Sequence, residues 1–220
     1  MNYGAMKRMA GMACTAVLLS SLLSACVGPL LVGGAMVGGT LLAVDRRSSG
    51  AQLDDEAIEL RAANQIRSNL GTRVRTSVTS YNRQVLLTGE VPNLQHQQRV
   101  EDVVKSVESV ASVVNELAVL NSPSLMDRSA DTLLTGRVKA MLLDARDLQS
   151  NAFKIVTERN TVYLMGRVTQ READRATEVV RGTTGVQKVV RLLEIISEQE
   201  LQKLGTVPDA SAQPAASVKL

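Results

Sequence analysis

The chain has 220 residues, of which 45% are hydrophobic and 21% are charged, so it can bury a core and is not disordered throughout. Aromatic residues make up 2% of the chain and the formal net charge is +3, which argues against a stacking platform for single-stranded nucleic acid and against a strong phosphate-binding surface. One histidine and two cysteines leave little material for a metal site or a Cys–His catalytic pair. We therefore expect no nucleic-acid partner, no metal and no cofactor.

The N-terminal segment has the pattern of a secretory signal peptide. Lys7 and Arg8 are the only charged residues before Asp45, and a short apolar run from Met9 to Leu23 follows them. This run is too short and wrongly flanked for a good transmembrane helix. The pattern predicts export of the chain.

The run ends in Leu23-Ser24-Ala25-Cys26, which resembles the bacterial lipobox, in which the cysteine is acylated and becomes the first residue after processing. The resemblance implies a signal peptide over residues 1–25 and lipidation at Cys26. Val27 stands where an aspartate typically retains lipoproteins in the inner membrane. The resemblance therefore implies an outer-membrane lipoprotein whose body faces the periplasm.

An apolar, glycine-rich segment, Val27–Val44, comes next. It is either a helix lying near the bilayer or a flexible spacer, and the sequence leaves both interpretations open. Asp45–Gly50 is polar and is predicted to end the linker region, which covers residues 26–50.

An internal repeat fixes the organisation of the remainder. Val85–Val91 matches Val162–Val168, and the valine-rich stretch Val103–Leu117 matches Val179–Leu193. The repeat predicts a first module over residues 51–120, a linker over 121–128, a second module over 129–196 and a disordered tail over 197–220.

Each copy is predicted to fold in the order αββαβ, a small three-stranded sheet with two helices on one face, which makes the fold class α+β. The first helices are predicted from Ala57 to about Leu70 and from Asp131 to about Leu143. The strands are predicted over Arg75–Tyr81 and Val85–Val91 in the first copy, over Phe153–Glu158 and Val162–Val168 in the second, and from near Val110 and Val186 onward.

Several short signals locate the turns. Asn82-Arg83 and Arg159-Asn160 are predicted to be hairpin turns, and Thr169 to Glu172 forms a capping box at the start of a helix. Gly89 and Gly166 are interpreted as points where a strand turns toward a helix and needs a permissive backbone.

These motifs resemble the BON domain, whose pattern is a strand ending in Leu-x-Gly-x-Val, a helix, and then Gly-Val-x-x-Val-x-Asn-x-Leu. The matching stretches are Leu87–Val91, Val110–Leu117, Leu164–Val168 and Gly185–Val189. Ser109 replaces the glycine in the first copy, and Arg191 replaces the asparagine in the second.

With the lipobox and the linker, the two copies resemble the dual-BON outer-membrane lipoproteins of Gram-negative bacteria. The resemblance implies a role in outer-membrane integrity, binding of anionic phospholipids and a position at division sites. It also implies machinery that assembles outer-membrane proteins as a further partner.

The second copy is the better candidate for a membrane contact. Residues 51–122 carry 7 basic and 9 acidic side chains, whereas residues 125–196 carry 12 basic and 9 acidic ones. A basic surface beside a bilayer favours anionic headgroups by about 1 kcal/mol for each suitably placed cation.

Within that copy, the helix from Asp131 has an apolar stripe that we assign to the core, namely Leu134, Val138, Met141, Leu142 and Ala145. Leu133 lies off the centre of this stripe, and Arg137 and Lys139 flank it. The resemblance implies that this helix carries the lipid contact. The predicted phospholipid-binding set is Leu133, Leu134, Arg137, Lys139 and Met141.

We expect no enzyme, because no catalytic motif follows a strand and His96, in a polar stretch, has no second histidine to serve. The alternative to a phospholipid-binding protein is a non-enzymatic adaptor that docks on envelope-assembly or cell-division machinery, with the lipid serving only as a tether.

Overall fold

The computed structural model describes residues 45–120 and 125–205. Cys26 and the glycine-rich segment 27–44 lie outside the described residues, so the lipidation site stays a prediction.

The predicted αββαβ order is confirmed in both copies. The first module consists of α1 (Ser49–Leu70), β1 (Arg75–Tyr81), β2 (Gln84–Val91), α2 (Leu94–Lys105), β3 (Ser112–Asn115) and β4 (Ala118–Val119). The second module consists of α3 (Leu125–Asp144), β5 (Phe153–Glu158), β6 (Thr161–Val168), α4 (Gln170–Arg181) and β7 (Lys188–Ile195). A final helix, α5 (Glu198–Gly205), follows the second module.

Each hairpin turn is held by an aspartate from the preceding helix. Both central residues of each turn have positive φ, at 48° and 66° in the first module and 49° and 56° in the second, as type I′ turns require. The backbone amides of Asn82 and Arg83 donate to the Asp55 carboxylate at 2.7 and 2.8 Å. Asp131 accepts the equivalent amides of the second turn at 2.8 and 3.0 Å. The long helix of each module is thereby fixed to its sheet.

The sheets have the order β1-β2-β3 and β5-β6-β7, with an antiparallel hairpin and a parallel third strand. Asn115 explains why the third strand of the first module is broken: its side chain accepts a hydrogen bond from the Leu117 amide and donates to Glu101. Arg191 occupies the matching position in β7 and pairs outward with Asp174, so β7 runs unbroken for eight residues.

Each sheet has a separate helix-facing core. In the first module, Ile58, Ala62 and Ile66 of α1 pack on Val85 and Leu87 of β2. In the second module, α3 and α4 cover β6 in the same way.

The opposite faces of the two sheets pack on each other. Tyr81 and Leu86 of the first module and Tyr163 and Met165 of the second form a third buried cluster. Ion pairs surround this cluster, from Arg75 to Glu158, Arg159 to Glu90 and Lys154 to Glu59. The two modules therefore dock sheet to sheet and turn their helices outward.

Residues 45–48, predicted to be part of a linker, instead join the two modules. Arg46 makes a bidentate pair with Glu172 of α4 at 2.7 and 2.8 Å, and both side chains are buried. Arg47 pairs with Asp55 of α1 at 2.6 Å and lies 4.4 Å from the centre of the Tyr81 ring.

Several predicted boundaries differ from the structure. The first helices begin at Ser49 and Leu125, earlier than expected, so part of the predicted 121–128 linker is helical. Within the predicted disordered tail, Glu198–Gly205 is helical. The third strands begin two residues later than expected, because a turn in which the Val110 amide donates to Val107 comes first.

The two repeated glycines have another physical role than the one predicted. Gly89 and Gly166 lie inside strands, and a Cβ there would come within 2.1 Å of the Arg75 carbonyl oxygen and 2.3 Å of the Ala152 carbonyl oxygen. They are required by the close approach of the neighbouring backbone and not by a turn toward a helix.

Ser109 and Gly185 occupy matching left-handed positions, with φ of 71° and 102°. Because a non-glycine residue is disfavoured there, we expect Ser109→Gly to raise the free energy of unfolding by about 0.5–1 kcal/mol. This value already includes the opposing effect of glycine's greater entropy in the unfolded chain. Gly185→Ser should lower it by about 1–2 kcal/mol. Urea unfolding measures both, and equal effects of the same sign would contradict this account.

The Asp55 carboxylate should make the stability of the protein depend on pH. Burial opposes ionisation of Asp55, but hydrogen bonds from Ser80, the Arg83 amide and Arg47 outweigh burial and lower its pKa. A lowered pKa in the folded state gives stability that is present above the unfolded pKa and is lost as the pH falls through the folded pKa.

We therefore expect Asp55→Asn to be less stable than the wild type at neutral pH, and the difference to shrink as the pH falls below about 5, through the ordinary aspartate pKa and then the lowered pKa of the folded state. Asp54→Asn is the control, because Asp54 forms only an exposed pair with Arg83 and its loss should change stability by no more than about 0.5 kcal/mol. A constant difference for Asp55→Asn across this range would show that its charge is not what stabilises the fold.

Candidate lipid-contact face

Helix α3 divides into a core side and a solvent side. Leu134, Val138 and Leu142 are buried and pack in the core of the second module. Asp131 ties the first half of the helix to the hairpin turn. The helix cannot rotate without breaking both sets of contacts, so its outer side is fixed.

The outer side of α3 is unusually apolar. Met126, Leu133 and Leu143 are 81%, 66% and 73% exposed. Met126, Leu133 and Ala140 recur every seven residues, so they lie along one line of the helix, and Gly136 and Leu143 form the neighbouring row. We call this strip of five residues the outer face of α3.

The basic residues of α3 have no counter-ions within residues 45–120 and 125–205. Neither Arg128, Arg137 nor Lys139 forms an ion pair with any residue in the described ranges, and Arg137 makes only one long contact, at 3.5 Å, with the Thr184 carbonyl. In contrast, Arg171 and Arg175 of α4 both pair with carboxylates. The cations beside the outer face are therefore available to an external anion.

The structure separates the predicted contact residues into two groups. Leu133, Arg137, Lys139 and Met141 are exposed, and the assignment of Met141 to the core stripe is wrong because 45% of its side chain is accessible. Leu134 is 3% exposed and packs in the core, so it cannot be a lipid contact.

Sequence reasoning missed Met126 and Leu143. Both lie on the outer face, at the two ends of α3. The seven-residue spacing of Met126 from Leu133 was the available signal, but the predicted helix began only at Asp131.

The positions of α1 that match the outer face of α3 are mostly small or polar. Asp55 and Asp131 are equivalent, so Ala57 of α1 matches Leu133 and Asn64 matches Ala140. Leu60 is 65% exposed but matches Gly136. The combined apolar and cationic surface is therefore specific to the second module.

A shallow cleft of about 320 Å³ opens between α3 and the edge strand β5, beside the outer face. Leu142 and Phe153 form its buried part, and Lys139 and Leu143 lie at its rim. The cleft extends the apolar surface of α3 toward the sheet.

Within residues 45–120 and 125–205, no three His, Cys, Asp or Glu side chains are grouped so that they could hold a metal ion. None of the helices in these ranges has the length and the apolar content needed to cross a membrane.

Comparison with known proteins gives consistent likenesses. The family model described as "BON domain" matches residues 54–121 and 130–197, which together are more than half of the chain. "Outer membrane lipoprotein DolP" of Haemophilus influenzae is 34% identical over 79% of this chain and 90% of its own length. "21 kDa hemolysin" of Actinobacillus pleuropneumoniae is 31% identical over 70% of this chain and 80% of its own length.

Among solved structures, CdsD, a structural protein of the type III secretion system of Chlamydia trachomatis, aligns with 65% of this chain and 96% of its own chain. The identity is 12% and the TM-score 0.28, so this likeness carries no argument here.

Truncation of two adjacent leucines of α3 should change the free energy of unfolding by very different amounts. Leu134→Ala removes a core side chain and should lower the free energy of unfolding by about 2–4 kcal/mol. Leu133→Ala removes an exposed one and should change it by no more than about 0.5 kcal/mol. Denaturant unfolding of both variants checks the orientation of α3. A large loss of unfolding free energy for Leu133→Ala would show that Leu133 is buried against another part of the protein.

Proposed function

Because this chain belongs to the BON-domain family, and within it to the outer-membrane lipoproteins with two such domains, we propose that it binds anionic phospholipids through α3 and supports outer-membrane integrity. In this proposal the protein is anchored by an acyl chain on Cys26, faces the periplasm and performs no catalysis. The observation that carries the proposal is the outer face of α3, where exposed apolar side chains stand beside cations that pair with no carboxylate in the part of the chain that the structure describes.

The two kinds of side chain suit the boundary layer of a bilayer. Leu133 and Met126 can bury apolar area among the acyl chains, at about 1.5–3 kcal/mol for each side chain that is fully buried. Arg137 and Lys139 can meet lipid phosphates at about 1 kcal/mol each. A helix lying in the interface with its apolar side down uses this combination.

The contact is expected to be weak by itself. Few side chains take part, and Asp144 at the end of the helix repels anionic headgroups. A single weak membrane signal gives reversible binding, whereas two signals together give stable attachment. The proposed acyl chain at Cys26 and the outer face of α3 are such a pair.

The first module is a poor candidate for the same role. It has two more acidic than basic side chains over residues 51–122, whereas residues 125–196 have three more basic than acidic ones. Because the exposed apolar row of α1, formed by Leu53 and Leu60, stands on this acidic module, we assign lipid binding to the second module alone.

A second candidate function is that of a protein-binding adaptor, and one observation favours it. Leu53 and Leu60 are 67% and 65% exposed on α1, seven residues apart and therefore on one side of the helix. An apolar row on an acidic module suits a protein partner better than an anionic membrane. In that case the lipid would serve only as a tether.

Binding to vesicles tests the proposal. A soluble form beginning at Ala43, the start of the compact unit, is mixed with vesicles containing phosphatidylglycerol or only phosphatidylcholine. We expect binding to the anionic vesicles only, weakened by salt, and a loss of about tenfold or more for Leu133→Asp and for Arg137→Glu.

Leu60→Asp and Arg61→Glu are the matched controls, because Leu60 is as exposed as Leu133 and Arg61 is the equivalent of Arg137. Both should bind as the wild type does. Equal binding by all four variants would refute the assignment to α3, and absence of binding by the unaltered protein would favour the adaptor.

A further inference from the structure

The segment Asp45–Ser48 places two consecutive arginines in acidic sockets that belong to different modules. Arg46 donates to both oxygens of Glu172 and to the carbonyl of Arg167 in the second module. Arg47 donates to Asp55 in the first module and to Asp45. We call this segment the clamp.

Each socket is a carboxylate that already has a structural role. Glu172 completes the capping box of α4 by accepting a hydrogen bond from the Thr169 amide, and Asp55 holds the hairpin turn. Burial opposes ionisation of Glu172, but the pairing with Arg46 and the Thr169 amide lowers its pKa, so it stays charged. The clamp therefore satisfies two buried carboxylates at once.

The clamp site exists only where the two modules meet. Arg167 donates from its guanidinium to the Arg46 carbonyl and from its amide to the Tyr81 hydroxyl, which crosses the module boundary. Tyr81 also carries Arg47 on its ring and belongs to the buried cluster between the sheets. If the sheets separated, the two sockets would move apart and one short segment could not fill both.

Neither module has such a site by itself. Asp131, the equivalent of Asp55, holds its turn with no ion pair to any described residue, and the position of Glu172 is taken by His96 in the first module. The pairing of Arg46 and Arg47 with both modules is thus a feature of the docked protein.

Arg46-Arg47 is also a dibasic sequence at the junction between the N-terminal segment and the folded body. A trypsin-like protease binds an arginine side chain in its own acidic specificity pocket. The protease cannot bind either arginine while Arg46 and Arg47 are paired with Glu172 and Asp55. Cleavage therefore requires the segment to open locally first.

We propose that the clamp is a guarded proteolytic site: docking of the two modules protects the peptide bonds after Arg46 and Arg47 from arginine-specific proteases, and undocking exposes them. Hydrolysis adds water across one bond, leaving a new carboxylate on the arginine and a new amine on the residue that follows. The cut separates the N-terminal segment from the body. Release of the body from a membrane rests in addition on the proposed lipid anchor, whereas the protection itself does not.

Limited digestion of the full chain in detergent micelles with trypsin tests the proposal. Mass spectrometry follows new N-termini at Arg47 and Ser48. We expect slow cutting at these bonds in the unaltered protein, and cutting at least about tenfold faster in Glu172→Gln, where one socket loses its charge. Glu178→Gln is the control, because it alters an exposed carboxylate of the same helix that pairs with Arg175, and it should digest as the unaltered protein does.

Two more variants separate protection from simple unfolding. Arg46→Gln leaves the capping box intact and should speed cutting after Arg47, while circular dichroism remains native. Glu158→Arg replaces the ion pair with Arg75 between the sheets by two like charges, far along β1 from Tyr81, and leaves the pair of Arg75 with Glu90 in place; it should also speed the cut by several fold if docking guards the site.

The proposal is overturned if neither Glu172→Gln, at either bond, nor Arg46→Gln, at the bond after Arg47, is cut faster than the unaltered protein. Acceleration by those two variants with no effect of Glu158→Arg would overturn the dependence on docking. The rate of digestion is measured without any test of lipid binding, so the result does not depend on whether α3 contacts a membrane.

Discussion

The architecture depends on one carboxylate in each module that joins the long helix to the hairpin turn. In a type I′ turn the amides of both central residues point away from the hairpin and need an acceptor. Asp55 and Asp131 supply both acceptors at once. The same contact sets the depth and the rotation of the helix on its sheet, and so decides which side of α1 or α3 is left in solvent.

Sheet-to-sheet docking is the second constraint, and it follows from the first. Because helices cover only one face of each sheet, the other face would leave Leu86 in one module and Tyr163 and Met165 in the other exposed to water. Each module covers the open face of its partner. The helices are then forced to the outside, which is why α3 can present apolar side chains without disturbing the core.

Local signals in the sequence located most of the fold. The hairpin strands, their turns and the capping box were predicted correctly, because each depends on residues close together in the chain. The start of α3 was missed because residues 126–130 are all exposed and show no buried apolar period, and the start of α1 was missed because residues 49–52 contain no large apolar side chain. The docked face had a readable signal in the continuous apolar run of Val85, Leu86 and Leu87, which is typical of a strand buried on both sides.

The clamp could not be predicted in this way. Arg46 and its partner Glu172 are 126 residues apart, and an isolated pair of arginines before a helix looks like any polar linker. The candidate lipid face was predicted in part. Helical periodicity correctly put Leu134 in the core stripe and Leu133 outside it, but it also put Met141 in the core, and only the structure shows that Met141 is exposed.

The clamp lies toward the C-terminal end of α3, where Leu143 ends the outer face. Arg46 contacts the Arg167 carbonyl, the neighbouring Gly166 pairs with Phe153, and Phe153 lines the cleft beside Leu143. Arg46, near the start of the described residues, therefore lies toward the C-terminal end of α3. A tether that starts there raises the local concentration of α3 at any surface to which the segment is attached, and this favours a weak contact without requiring it to become strong. Charges are costly to bury. Arg46 and Arg47 are buried in part or in full because their pairs with Glu172 and Asp55 fix the position of this segment on the body.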